Sequence, residues 1–316
     1  MKKAFETLNL RDYGVLLGFL ALCIAISVAT PSFLGKQNIL NLLRQSSIIG
    51  IISAGMTFVI ISGNFDISVG AVAALAGAIT MKFATGGTNL FVSMLLGIAI
   101  CAVIGLINGL VVAKINVPSL IATMAMVTIV RGLLLMLTGG YPITENIPIL
   151  DYIGNGYLFN IPIPVVIFFI VVLVAFIVLN KTKFGRYVYS VGGNQEASKL
   201  NGINVDSHKI KVFIINAVLA GIAGIVLTGR LGTATAIAGE GYDMDAIASV
   251  VIGGTSVAGG SGSVLKTVIG VLLMSVINNS FNLLGIDVYF QYIFKGLIIL
   301  AAVGFDSYSK KKLASR

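Results

Sequence analysis

Residues 164–180 read PVVIFFIVVLVAFIVLN, an uncharged run with no polar side chain before Asn180. A strand with lipid on one face and a wet lumen on the other would alternate apolar and polar residues. This stretch is continuously apolar, so it reads as a helix. A hydrocarbon core about 30 Å thick takes roughly 20 such residues per crossing. Within it only helices and closed barrels satisfy the backbone. Working outward, the same texture recurs at 13–30, 46–63, 67–85, 91–113, 119–138, 212–231, 244–258, 264–284 and 289–305. The sequence therefore predicts an all-α integral membrane protein with about ten transmembrane helices, forming one transmembrane domain over 1–316. Hydrophobic residues make up 57% of the chain and charged residues only 10%. The usual charged share of a soluble domain is about a quarter, so a soluble fold is excluded.

Loop charges set the topology. With the N-terminus inside and sides alternating, the inner segments hold Lys2, Lys3, Arg11, Lys114, Lys181, Lys183, Arg186, Lys199, Lys209, Lys211, Lys310, Lys311, Lys312 and Arg316. The clear outer loops hold only Lys36 and Arg44, and the long loop 139–163 has Glu145 and Asp151 but no lysine or arginine. The positive-inside rule then places both termini in the cytoplasm and favours an even number of spans. The first span follows Lys2 and Lys3 as a signal peptide would. Arg11 and Asp12 interrupt the approach and no clean small-x-small cleavage site follows, so it reads as a retained helix.

The net charge of +9 is accounted for by this topology and not by nucleic acid. Cys23 and Cys101 lie inside apolar runs, without the company of a metal site or a secreted disulfide framework. The one histidine, His208, sits among Asp206, Lys209 and Lys211 with no neighbouring nucleophile. No catalytic residue, metal or cofactor is expected. Val103–Asn108 in the fourth span and Val268–Val271 with Asn278 and Asn279 in the ninth suggest a faint repeat. Its two blocks, 46–138 and 212–305, would have opposite orientations, as in many transport folds. Gly50, Gly55, Gly77, Gly97, Gly105, Gly109, Gly221 and Gly224 lie within spans, where small residues let helices approach closely.

Three segments stand out. In Gly63-Asn64-Phe65-Asp66-Ile67-Ser68-Val69-Gly70 an acid is pressed between two apolar helices, which is costly unless it is paired, capping or wet. Asp66 reads as the N-cap of the next helix, with direct substrate contact as the alternative, and a broken or re-entrant helix at 64–66 stays open. The second, Gly253-Gly254-Thr255-Ser256-Val257-Ala258-Gly259-Gly260-Ser261-Gly262-Ser263, lacks the Gly-Lys-Ser/Thr ending and preceding strand of a phosphate loop. It reads as a tight turn between packed helices, approached by Glu240, Asp243 and Asp245. The third is loop 181–211, where 194–200 forms a short helix capped by Asn194 and ended at Gly202, with Ala197 and Leu200 on one face. It is either a docking surface or a solvated loop.

The first two motifs, nearly two hundred residues apart, resemble those of the ribose-type permeases of ABC importers. Their usual wording is Gly-x-Ile/Phe-Asp-Leu/Ile-Ser-Val-Gly and Gly-Gly-Thr-Ser-x-x-Gly-Gly-x-Gly. Gly192-Gly193-Asn194-Gln195-Glu196-Ala197-Ser198-Lys199-Leu200-Asn201-Gly202-Ile203 is similar to their cytoplasmic loop, Gly-x-Asn-x-x-Ala-Ala-x-x-x-Gly-Ile, with Ser198 replacing the second Ala. The related branched-chain amino acid permeases lack the Asp-x-Ser-Val-Gly wording, which favours the sugar branch. The resemblance covers almost the whole chain. It implies a multi-pass permease of a bacterial cytoplasmic (inner) membrane, importing ribose or a related monosaccharide. It also implies two copies of an ABC ATPase, or one fused tandem ATPase, an extracytoplasmic sugar-binding protein, and a second permease subunit, expected as a homodimer. Loop 181–211 would be the ATPase-coupling loop, carried by Gly193, Asn194, Glu196, Ala197, Leu200 and Gly202. Asp66, Ser68, Gly70, Gly253, Gly254, Thr255, Gly259 and Gly260 would be family-motif positions.

For the translocation path, Asn278, Asn279, Asn282 and Gln291 offer bonds to sugar hydroxyls, or bond between helices. Lys295 lies several residues into the tenth span. It snorkels outward, or pairs with Asp287 or an acid from another helix. The competing readings are a nucleoside or small-solute permease of the same superfamily, an ion-coupled secondary transporter and a channel. Mid-span carboxylates, which ion coupling needs, are nearly absent.

Overall fold

The computed structural model describes residues 10–314; Lys2, Lys3 and Arg316, used above to place the termini, lie outside them. The apolar runs all become helices: α1 (Leu10–Ala29), α2 (Lys36–Ile61), α3 (Val69–Thr85), α4 (Leu90–Ala113), α5 (Ser119–Thr138), α7 (Ile163–Lys181), α10 (Val205–Leu231), α11 (Tyr242–Ile252), α12 (Val264–Leu283) and α13 (Val288–Ala314). The polar connections contain α6 (Pro148–Asn155), α8 (Lys183–Gly193) and α9 (Gln195–Leu200). Among the described residues a single 3-10 turn (Pro31–Leu34) links α1 to α2, and there are two short antiparallel pairings: β1 (Ile143–Thr144) with β4 (Thr233–Ala234), and β2 (Tyr157–Leu158) with β3 (Ile161–Pro162).

By length and composition, six of the helices (α2, α4, α5, α7, α10 and α12) are long and apolar enough to cross a membrane. The shorter apolar stretches Leu17–Ala29, Val69–Thr85 and Val288–Ala301 accompany them. The expected span 244–258 is corrected. The helix there is α11, with 11 residues, about 16 Å long, roughly half of a hydrocarbon core. Its glycine-rich continuation leaves the helix at Gly253 and Gly254.

Helix α2 lies at the centre. In its most apolar stretch 94% of residues are buried, against 22% in α7, so α7 lies at the periphery of the chain. Helix α10 packs against α2, α3 and α4. Lipid tails are as apolar as leucine, so these contacts depend on close packing and not on expulsion of water. Gly105 and Gly109 of α4 supply it: a Cβ on either would stand 2.7 Å from Ala217 Cβ or Ile210 Cα of α10. Thr57 of α2 and Thr267 of α12 add a buried hydroxyl–hydroxyl bond of 2.9 Å.

Contacts sort the connections into two ends. At one, Phe65 N–H donates to Ser119 Oγ (3.1 Å), Lys114 pairs with Asp206 (3.0 Å), and Tyr189 Oη donates to the Gly262 carbonyl (2.9 Å). At the other, β1 meets β4, Arg44 donates to the Asn155 carbonyl (3.1 Å), and Lys82 reaches the Leu137 carbonyl. The groups match the two sides given by alternating spans.

Candidate functional site

The chain between α2 and α3 is a true break. Helix α2 ends when Gly63 adopts φ +79°, with Gly63 N–H bonded to Ile60 O (2.9 Å) and Asn64 N–H to Val59 O (3.1 Å). This crossed pair is the glycine-terminated helix stop that spares orphan carbonyls. The exposed N–H groups of the turn are then claimed by α5, through Ser119 Oγ for Phe65 and Thr123 Oγ1 for Ile67 at 3.3 Å. Asp66 is not itself the N-cap of α3, which is Ser68. Its Oδ1 accepts the Ser68 N–H (2.9 Å) and hydroxyl (2.6 Å), while Oδ2 accepts Asn216 Nδ2 of α10 (2.9 Å). Asn108 of α4 donates to Ser68 Oγ at 3.1 Å. All four side chains are buried. They tie the break to α4 and α10, and Asp66 faces protein polar groups.

The glycine-rich loop repeats the same stop. Gly254 has φ +89° and bonds to Val251 O (2.8 Å), while Thr255 bonds to Val250 O (3.2 Å). The loop then folds back onto the first break: Gly260 N–H donates to Ile61 O at 2.8 Å. The end of α8 fits into the same joint. A Cβ on Gly192 would meet the Ile61 carbonyl and stand 2.8 Å from Gly260 N, and one on Gly260 would stand 2.7 Å from Gly193 Cα. Three motifs separated in sequence thus meet as bare backbone. Beyond the joint, α9 is capped by Asn194 Oδ1 accepting Ala197 N–H (2.9 Å) and stopped at Gly202, φ +77°. Ser198 faces inward, bonded to Ser190 (2.9 Å). Glu196, Ala197 and Leu200 face outward, Leu200 being 89% exposed.

The five residues named from sequence for the path are already paired. Lys295 Nζ lies 3.0 and 3.1 Å from the carboxylate oxygens of Asp245 on α11, an acid from another helix. Asn278 donates to the same carboxylate at 3.5 Å. Asn279 and Asn38 exchange amide bonds of 2.8 and 3.0 Å. Gln291 donates to Asn282 Oδ1 at 3.1 Å. These are ties among helices, and none of the five lines the large groove beside α5.

Residues 38–303 match the family model described as branched-chain amino acid transport system / permease component. The chain belongs to this permease family. It is 44% identical over 303 residues to the ribose import permease protein RbsC of Haemophilus influenzae, covering 93% of this chain and 94% of that one. It is 42% identical to RbsC of Bacillus subtilis over 94% and 93% of the two chains. It is 35% identical to the L-arabinose transport system permease protein AraH of Escherichia coli over 95% and 92%. No solved structure matches it. The chain is therefore a transport permease subunit and not an enzyme.

Several working residues of this permease escaped the sequence reading. Asn108 and Asn216 stand alone in apolar spans, and an isolated buried amide was the available signal. Ser119 and Thr123 sit in the first turns of α5, where nothing in the sequence marks them as partners of the 65–67 turn. Gly192 opens the loop motif, but only the fold brings Ile61 and Gly260 against it.

Proposed function

We propose that this permease subunit carries ribose or a related pentose inward across a bacterial cytoplasmic membrane, as part of an ATP-driven importer. The observation that carries the reading is the near full-length identity of 44% to a ribose import permease. The xylose and L-arabinose permeases among its relatives, at 34% and 35% identity, support a pentose as the substrate. The partners are two ABC ATPase copies, an extracytoplasmic sugar-binding protein and a second copy of the permease. Both termini face the cytoplasm, on the side of α8 and α9. An inverted repeat is supported by packing: α10 contacts α3 and α4 as α2 contacts α11 and α12, and α3–α5 has its counterpart in α11–α13.

In this reading α9 takes the push of the ATPases, and its outward residues Glu196, Ala197 and Leu200 meet them. The joint at Gly192 and Gly260 passes the motion to the ends of α2 and α11. A ligand shifts such an equilibrium only through different affinities for its states. The test is the double variant Ala197→Asp/Leu200→Asp, co-expressed with the ATPase and binding protein in vesicles. Neither side chain is buried, so insertion and thermal stability should match the parent while vanadate-sensitive ribose uptake falls at least tenfold. Unchanged uptake would refute the docking assignment. Uptake that never responded to vanadate would refute the ATP-driven reading.

A further inference from the structure

Residues 235–241, between β4 and α11, form a chain of turns, with Ala238 N–H bonded to Thr235 O and Glu240 N–H to Ile237 O, both at 3.2 Å. They do so at membrane depth. Arg131 donates to the carbonyls of Ala236 and Ala238, the second at 3.1 Å. It lies about seven residues, roughly 10 Å, short of the end of α5 at Thr138. Gly239 reaches further and packs backbone to backbone on Gly70 in the first turn of α3, where a Cβ on Gly239 would stand 2.6 Å from the Gly70 carbonyl. Irregular backbone at this depth is tolerated only where protein buries it or it lines a water-filled cavity.

Beside it lies an open-sided groove of about 930 Å³ between α3, α5 and α11. Thr128, Arg131, Glu240 and Asp243 present polar groups to it, and Met244 and Tyr292 apolar surface. Its lining runs from the level of Arg131 down to Ile67 and Ile121 near the opposite end of α5. Three ionisable side chains facing lipid here would be costly, whereas facing water they are cheap.

We infer that this groove is a wall of the sugar's passage through the permease, and that Thr128, Arg131, Glu240 and Asp243 are its polar contacts. The inference rests on the importer reading above. The chemistry suits an uncharged polyhydroxylated ligand: carboxylates and a hydroxyl accept from its hydroxyls, and the guanidinium donates to them. The thioether and aromatic ring face its C–H surface. A few placed polar groups in an otherwise apolar cavity are the usual make-up of small-molecule sites.

The test uses the assembled transporter with Cys23→Ser and Cys101→Ala as the cysteine-free reference. ATP-driven uptake of ribose, xylose and L-arabinose is measured on that reference first. Thr128→Cys and Glu240→Cys are then treated from outside with a charged, membrane-impermeant thiosulfonate, and each variant is compared with itself before labelling. Both should react, and uptake should fall at least tenfold, while Leu133→Cys, on the exposed surface of α5, stays unreactive. A lipid-filled groove would leave Thr128→Cys and Glu240→Cys unlabelled and overturn the inference. Labelling without loss of uptake would overturn it too. If the reference imports none of the three sugars, the importer reading itself fails; uptake that survives labelling refutes the passage alone.

Discussion

Gly260 donates its backbone N–H to the carbonyl oxygen of Ile61 at 2.8 Å, across two hundred residues of sequence. The bond joins the stop of α2 to the loop after α11, and the end of α8 is wedged against both. In the proposed coupling, a push on α9 would meet two helix ends through contacts between main chains, which have little side-chain freedom to absorb it.

That geometry separates two adjacent glycines. At Gly192 an added Cβ collides with the Ile61 carbonyl, whereas at Gly193 the nearest atom is Gly260 Cα at 3.9 Å. Gly192→Ala should lower sugar uptake at least tenfold, and Gly193→Ala should leave it within about twofold. Equal losses in the two variants would rule out the joint as a specific contact. The readouts are uptake and sugar-stimulated ATP hydrolysis at matched membrane expression.

Asp66 offers a second contrast. Replacement by alanine strips the partner from the Ser68 N–H and from Asn216 Nδ2, both buried. Each buried donor left unpaired costs about 1–3 kcal/mol, so for the two of them Asp66→Ala should lose roughly 2–6 kcal/mol. Asp66→Asn keeps an acceptor for Ser68. Asn216 can then turn its Oδ1, which has no partner now, toward the new amide. Its cost should stay near 1 kcal/mol. Thermal unfolding in mild detergent ranks the two, and the reverse order would sink the account of Asp66 as a turn-fixing acceptor.

The Asp245–Lys295 pair predicts non-additivity. The side chain of Asp245 is 5% exposed and that of Lys295 24%, so Lys295→Met leaves a carboxylate enclosed without its cation. Breaking one side of such a pair costs about 3 kcal/mol or more, while removing both charges is far cheaper. Asp245→Asn/Lys295→Met should therefore recover most of the loss seen in Lys295→Met. Additive losses across the double-mutant cycle would show that the two charges act independently.

The turn and cap chemistry of this permease was legible because it is local. The helix over 195–200 follows from Asn194 and Gly202 alone, as each acts on N–H and carbonyl groups within a few residues. The polar residues of the late spans were harder. Asn279 and Gln291 carry the same chemistry whether they bind a sugar or another helix, and only the positions of Asn38 and Asn282 decide between the two. Helix α8 went unread because its buried face, Gly185, Val188 and Val191, is short and embedded in a basic loop.

The sequence by itself determined that the chain crosses a membrane as helices, where nearly all of them lie, which connections share a side, and the permease family. These follow from apolar runs, charge placement and motifs, which water and lipid read one segment at a time. Tertiary structure alone decided that α11 is a half-length helix, that Gly63, Gly192 and Gly260 form one joint, and that Lys295 belongs to Asp245. It also decided that an irregular segment lines a groove beside α5. Each depends on which backbones approach across long sequence separations, and in lipid that choice is made by close packing and hydrogen-bond satisfaction, terms that no single segment carries on its own.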